Sequence, residues 1–160
     1  MPTRSRTRRN FTVAEANACL PLVRAIVGDL VALSRDVIER RERLAALARG
    51  RPREQRDVYS EEIMQVEQDL EKDARQLQEY VAELEQLGVE PKSAVEGLVD
   101  FPATVDGRRA YLCWKYGEPE VLFWHDLEAG FAGRQPLTAG TAADGGALAS
   151  QEGGTTNGRL

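Results

Sequence analysis

Residues 98–126 read LVDFPATVDGRRAYLCWKYGEPEVLFWHD. Three segments of this stretch are rich in β-branched, aromatic and aliphatic residues, which favours strands over Leu98–Val105, Arg108–Tyr116 and Glu120–His125. Asp106-Gly107 is a strong two-residue hairpin turn between the first and second segments, and Gly117-Glu118-Pro119 connects the second to the third. The stretch therefore predicts a three-stranded antiparallel β meander.

Two details of the meander predict how it is placed. Pro102 would interrupt a central strand, so the first strand is expected at an edge of the sheet. The run from Val121 to Trp124 is apolar on both faces of the third strand. One face is expected to pack on helices, and the other to be covered by the C-terminal loop, a partner chain or both.

A long helix is predicted upstream of the meander. Thr12 and Glu15 have the spacing of a capping box, and Pro21 predicts a kink or short break two turns later. Gly50 and Pro52 end the helix. Its apolar seam alternates steps of three and four residues: Val23, Ile26, Leu30, Leu33, Val37, Arg40, Leu44 and Leu47.

A second helix begins near Ser60 and ends at Gly88. Its seam is Ile63, Val66, Leu70, Asp73, Leu77, Tyr80, Leu84 and Leu87. Because the connection is only about ten residues long, the two helices are expected to form a coiled-coil-like antiparallel hairpin over residues 12–88. The predicted fold class is α+β: a long helical hairpin, then a small three-stranded antiparallel meander and a C-terminal loop.

The length and composition indicate one domain. The chain has 160 residues, of which 42% are apolar and 29% charged, with a net charge of −5. We expect a basic disordered arm at 1–10, a single domain at 11–137 with its β unit at 97–137, and a disordered tail at 138–160. Cys19 and Cys113 lack CxxC spacing, which favours free thiols and a cytoplasmic location. Uninterrupted apolar runs stay far below about 18 residues, so no membrane association is expected.

Charge is distributed unevenly over the hairpin. Residues 40–56 hold seven arginines against two glutamates, a net of +5, and residues 60–90 hold ten acids against two basic residues, a net of −8. Solvated faces with cross-helix ion pairs are the ordinary interpretation. The alternative is a nucleic-acid contact at the tip through Arg49, Arg51, Arg53 and Arg56. The acidic chain and the lack of tip aromatics before Tyr59 make nucleic acid the weaker alternative.

Several motifs resemble one known family. They are Phe11-Thr12, Glu15-Ala16-Asn17, Pro21, Gly97–Ala103, Asp106-Gly107-Arg108, Leu112-Cys113-Trp114, Gly117-Glu118 and Trp124–Pro136. Together they resemble the bacterial and archaeal proteins grouped as domain-of-unknown-function family 2203, over about residues 11–137. The resemblance supports the order of elements given above. It implies no activity and no catalytic residue, because the family has no established function.

The β unit carries the candidate metal ligands. If Gly117–Pro119 forms a turn, Cys113 lies opposite Phe123 and diagonal to His125 on one sheet face. With a carboxylate from Asp126, Asp100 or Glu15, Cys113 and His125 could hold a single divalent metal. A Cys–His nucleophile pair and a simple core cysteine are the alternatives. His125 is the only histidine, which excludes His-rich metal sites.

Arg134 is the candidate anion-binding residue. It lies in the loop that follows Trp124, between Gly133 and Gln135. As a structural group it would pair with an internal acid such as Asp126 or Glu15 and fasten the loop. As a functional group it would hold a small anionic ligand, with Trp124, His125 and Asp126 as neighbours.

Three functions follow in order. A non-enzymatic helical assembly or interaction protein, forming a homodimer and using no cofactor, is the leading hypothesis, since two helices alone make a poor core. The alternative is a small anion- or metal-binding protein, which could be an enzyme, with its site at the β unit. An RNA or nucleoid accessory protein is the third.

Overall fold

The computed structural model describes residues 9–49 and 58–138. Helix α1 runs over Val13–Ala48 and helix α2 over Val58–Gln86. The predicted capping box is present: Thr12 Oγ1 accepts from Glu15 N at 3.0 Å, and Glu15 Oε1 accepts from Thr12 N at 3.1 Å. The helix continues through Pro21, so the predicted break does not occur. Leu20 and Val23, buried on either side of Pro21, keep both halves packed across the lost hydrogen bond.

The helices pair as a hairpin. Arg40 and Asp73, the two polar positions of the predicted seams, form a salt bridge with each other. Arg43 pairs with Glu62 nearer the tip. Fully buried positions of α1 end at Val37, so the part of the hairpin beyond it is held by half-buried leucines and ion pairs.

Helix α1 passes a length and composition test for membrane-spanning helices. It is long enough to cross a bilayer, and one 18-residue window within it has a mean hydropathy of 1.6. In this fold 39% of that window is buried against the rest of the chain. A core helix passes the same length and composition test, so this property is weak evidence for a membrane span.

The sheet has five antiparallel strands in the order β1-β2-β3-β4-β5. They are β1 Glu90–Ser93, β2 Leu98–Val105, β3 Arg108–Lys115, β4 Phe123–Asp126 and β5 Gln135–Pro136. The α+β class is confirmed, whereas the predicted number of three strands is wrong. The two additional strands are four and two residues long and each contains a proline, so they carry no strand pattern that could be recognised.

The predicted edge position of the strand with Pro102 is also wrong, because β2 lies between β1 and β3. Pairing with β1 covers only the first residues of β2, from Leu98 to Asp100. Beyond them, the carbonyl of Pro102 accepts from Phe11 N at 2.7 Å on the side left open by β1. The proline therefore removes no ladder hydrogen bond from a strand that is otherwise central.

One face of the sheet packs on α1. Val99, Phe101, Leu112 and Trp114 alternate onto this inner face and join one core cluster with α1 residues. Gly97 has a φ of +71° and lies so close to α1 that an added Cβ would come within 3.0 Å of the Val31 side chain. The opposite, outer face carries Asp100, Cys113 and His125.

The predicted arm reaches further into the fold than expected. Arg9 Nη1 donates to Leu87 O at 2.8 Å, and Asn10 Oδ1 accepts from the Thr104 hydroxyl at 3.2 Å. Both contacts tie the segment before α1 to the rest of the domain. The predictions of disorder at 1–8 and 139–160 concern residues outside the described ranges.

Candidate metal centre

Three polar side chains meet on the outer face of the sheet. Asp100 of β2 is directly opposite Cys113 of β3, and His125 of β4 pairs with Tyr111, one step diagonal from Cys113. Cys113 is also opposite Phe123, the register expected from the turn. Asp100, Cys113 and His125 are 4%, 1% and 2% exposed. Burial of three polar groups in one place is unusual and calls for a reason.

Hydrogen bonds at both ring nitrogens fix the orientation of His125. Nδ1 lies 2.7 Å from the backbone carbonyl oxygen of Asp126, which can only accept, so Nδ1 carries a proton. Nε2 lies 3.0 Å from Asp100 Oδ1, and the two atoms share one proton. The Nδ1 hydrogen bond therefore points Nε2 at the carboxylate. A backbone carbonyl plays this role for many metal-bound histidines.

Cys113 completes the cluster. Its Sγ, one Asp100 oxygen and one His125 nitrogen all lie within 4.8 Å of one another. Burial, followed by the nearby Asp100 carboxylate, raises the pKa of the Cys113 thiol to about 12, and Arg134 opposes this only in part. The metal-free thiol is therefore protonated near neutral pH. Since both His125 nitrogens are engaged elsewhere, the geometry does not favour the Cys–His nucleophile pair.

Arg134 makes the contacts of a structural clamp. Its guanidinium pairs bidentately with Glu118: Nη1 donates to Oε1 at 3.1 Å, and Nη2 donates to Oε2. It also stacks 3.7 Å from the centroid of the Phe123 ring and 4.7 Å from that of Phe131. Nη1 lies 3.9 Å from Cys113 Sγ. The clamp thus fastens residues 127–134, the covering loop over the outer face, beside the cluster.

The partner of Arg134 differs from the two acids considered in the sequence. Glu15 is used in the cap of α1, and Asp126 is exposed. The sequence does not indicate Glu118 as this partner, because Glu118 lies in the Gly117–Pro119 turn and has the pattern of an ordinary turn residue. Its carboxylate also accepts from Lys115 N at 2.7 Å, which aims it back over the strand.

The candidate site residues separate into two groups. Cys113 and His125 come together, and Asp100 takes the place given to Asp126, whose contribution to the cluster is its backbone carbonyl. Trp124 packs against the core on the inner face, so the anion set of Arg134, His125, Asp126 and Trp124 does not converge. The alternation of β4 explains both corrections, because Trp124 and Asp126 point away from the face that His125 occupies.

The structure describes one of the four candidate nucleic-acid residues. Arg49 is exposed at the end of α1, while Arg51, Arg53 and Arg56 lie outside the described ranges. Two further arginines of the basic segment, Arg40 and Arg43, pair with acids of α2. These ion pairs agree with the ordinary interpretation of the charge pattern, in which charges of the two helices pair with each other.

A cavity of about 230 Å³ opens above the cluster. Its polar floor is Asp100, Cys113 and His125. Apolar and aromatic side chains form its walls, and charged side chains stand at its rim: Leu98, Tyr111, Leu127 and Phe131, with Lys92 and Glu128. The buried polar groups therefore face a space that a small ligand can enter.

The fold and this cluster define an α+β protein with a buried Asp–Cys–His group beneath a small cavity. Residues 9–137, which include both helices, the sheet and the covering loop, match the family described as "Uncharacterized conserved protein (DUF2203)". The chain belongs to this family. A search of curated proteins and a search of solved structures each found no match.

Proposed function

We propose that this protein binds a single divalent transition metal through Asp100, Cys113 and His125, with zinc as the best-matching ion. One observation carries the proposal: three buried side chains with different ligand atoms converge within 4.8 Å at the floor of a cavity. Imidazole, thiolate and carboxylate together suit Zn²⁺, and a carboxylate–carbonyl set would suit calcium or magnesium instead.

The distances support a tetrahedral ion. Zinc bonds of about 2.3 Å to sulfur and 2.0–2.1 Å to nitrogen or oxygen put neighbouring ligand atoms roughly 3.3–3.6 Å apart. The Nε2–Oδ1 separation of 3.0 Å is close to that range, and all three ligand atoms lie within 4.8 Å of one another.

The charges balance on binding. The ion displaces the thiol proton and the proton shared by His125 and Asp100, so two negative ligands neutralise a 2+ ion. Arg134, 3.9 Å from Sγ, favours the thiolate that the ion requires. Three protein ligands leave a fourth position open toward the cavity, which is the arrangement of reactive rather than purely structural zinc sites.

A cobalt titration tests this proposal. Chelator-treated wild-type protein is expected to bind one Co²⁺ per chain and to gain a thiolate-to-cobalt charge-transfer absorption. Cys113→Ser, which changes little volume, should lose that absorption. Asp100→Asn removes a direct ligand charge and should weaken binding by at least the roughly 10–100-fold that loss of an outer-shell partner costs. Cys19→Ser is the matched control and should behave as wild type.

The alternative is that Asp100 and His125 form a hydrogen bond that only fastens the sheet. In that case wild type would show no stoichiometric cobalt binding. An equally intense charge-transfer band in Cys113→Ser would also contradict the proposal, since the sulfur ligand would then lie elsewhere.

We further propose that the hairpin associates with a second copy of this chain. Ile38 of α1 and Met64 of α2 are 40% and 58% exposed. Burial of such side chains across a two-fold axis would stabilise a dimer. Sedimentation should show a dimer at micromolar concentration that Ile38→Glu with Met64→Glu converts to monomer. A monomeric wild type would contradict this.

A further inference from the structure

We infer that the open position of the metal takes the carboxylate of a small monocarboxylic acid with an apolar body. The inference rests on the metal site proposed above and names its ligand class. It concerns binding alone and adds no chemical step. The supporting observations are the size of the cavity, the arrangement of its walls and the charges at its rim.

The size of the cavity selects small ligands. Its volume of about 230 Å³ equals roughly seven to eight water volumes of about 30 Å³ each. Pockets for drug-sized molecules are larger, at about 300–1,000 Å³. An acid of roughly ten non-hydrogen atoms fits this space, while a nucleotide or a peptide does not.

The walls select an apolar body. The metal-binding groups lie at the floor, and Leu98 and Tyr111 rise from the sheet beside them. Leu127 and Phe131, contributed by the covering loop, remain 47% and 43% exposed although they line the same cavity. A ligand whose polar head reaches the floor would cover these two side chains with its body, and this burial would favour binding.

The rim selects a single negative charge. Among the described lining residues the cation is Lys92, whose Nζ lies 5.2 Å from the centroid of the Tyr111 ring and 3.3 Å from Glu90 Oε1. The Lys92–Glu90 pair is exposed and therefore weak, so Lys92 is available to the carboxylate oxygen that does not bind the metal. Glu128, also at the rim, would repel a second carboxylate.

Benzoate binding to the cobalt-loaded protein tests the inference. Benzoate should change the visible cobalt spectrum, whereas benzyl alcohol, with the same body and no carboxylate, should not. Acetate, with the same head and no body, should bind at least about tenfold more weakly, and so should phthalate, which carries a second carboxylate. Titration of each ligand against the spectrum gives the four affinities directly.

Two variants test the recognition of the ligand's carboxylate and of its apolar body separately. Lys92→Met should weaken both benzoate and acetate several-fold at unchanged cobalt affinity, and Lys72→Met on α2 is the matched control. Phe131→Ala should weaken benzoate and leave acetate unchanged. If cobalt binds as proposed but benzoate leaves its spectrum unaltered, or acetate binds as tightly as benzoate, the ligand inference is wrong and the metal site stands. If cobalt does not bind, both are wrong.

Discussion

The two faces of the sheet are built from alternate residues of the same strands, yet they differ in kind. Val99, Phe101, Leu112 and Trp114 on the inner face meet α1 in a continuous apolar core. Asp100 and Cys113, their neighbours in sequence, are just as buried on the outer face, under a short loop and a cavity. The inner face explains the stability of the fold. The outer face buries the hydrogen-bonded Asp100–His125 pair and the Cys113 thiol at the floor of the cavity, where the proposed metal would bind.

The largest expected effect is on the free energy of unfolding, and it is tested with one phenylalanine from each side of the sheet. Phe101 is fully buried and packs edge-on against Phe11, with ring centroids 5.2 Å apart. Phe101→Ala should lower the free energy of unfolding by about 3–5 kcal/mol, since it leaves a cavity in the core. Phe131→Ala on the covering loop should cost only about 0.5–1 kcal/mol. Urea denaturation measures both, and equal losses would contradict the division of roles.

The next effect concerns the clamp on the outer face. Arg134 and Glu118 have side chains 13% and 19% exposed, so Arg134→Ala leaves a mostly buried carboxylate without its cationic partner, while Lys115 N still donates to it. We expect a loss of about 2–3 kcal/mol, below the 3–5 kcal/mol of a deeply buried pair.

Arg134→Lys is the matched variant for the clamp. It should retain part of that stability, since it keeps the charge and loses the bidentate geometry. An unchanged melting curve for Arg134→Ala would show that Arg134 does not fasten the loop.

A smaller effect should appear at alkaline pH in the metal-free protein. The pKa of the Cys113 thiol is raised from 9.0 to about 12 on folding, so between these values the unfolded chain loses the proton first. The contribution of the neutral thiol is fully present below pH 9 and decreases by about 1.4 kcal/mol per pH unit above it.

This effect is measured as a difference between variants. Between pH 9 and 10.5, wild type should lose about 2 kcal/mol more stability than Cys113→Ser, whose hydroxyl does not titrate there. Denaturant titrations at several pH values give the comparison. Parallel curves for the two proteins would show that the thiol is not buried as described.

Much of the architecture could be predicted because it depends on periodic burial. The helical seams, the capping box at Thr12 and the Asp106-Gly107 turn are local patterns, and each is present in the structure. The strands β1 and β5 could not be predicted, since each pairs for a few residues only and depends on a neighbour distant in sequence. The central position of the strand with Pro102 could not be predicted either, because the Pro102 carbonyl accepts from Phe11 N, which lies outside the sheet.

The site was predictable in part. The register of β3 and β4 follows from the Gly117–Pro119 turn, which brings Cys113 near His125. The choice of Asp100 among the three candidate carboxylates depends on the register between β2 and β3. Counting outward from the Asp106-Gly107 turn places Asp100 opposite Cys113, a signal already present in the sequence. Glu118 carried no such signal, since a turn residue can point either way.

X-ray absorption spectroscopy of the zinc-loaded protein tests the central claim most directly. With one zinc per chain, the account predicts a first shell with one sulfur at about 2.3 Å and the remaining ligands nitrogen or oxygen at about 2.0–2.1 Å. The imidazole of His125 should add its outer-shell scattering, and Cys113→Ser should remove the sulfur. A shell of oxygen and nitrogen alone in the wild type, or a sulfur that persists in Cys113→Ser, would contradict it.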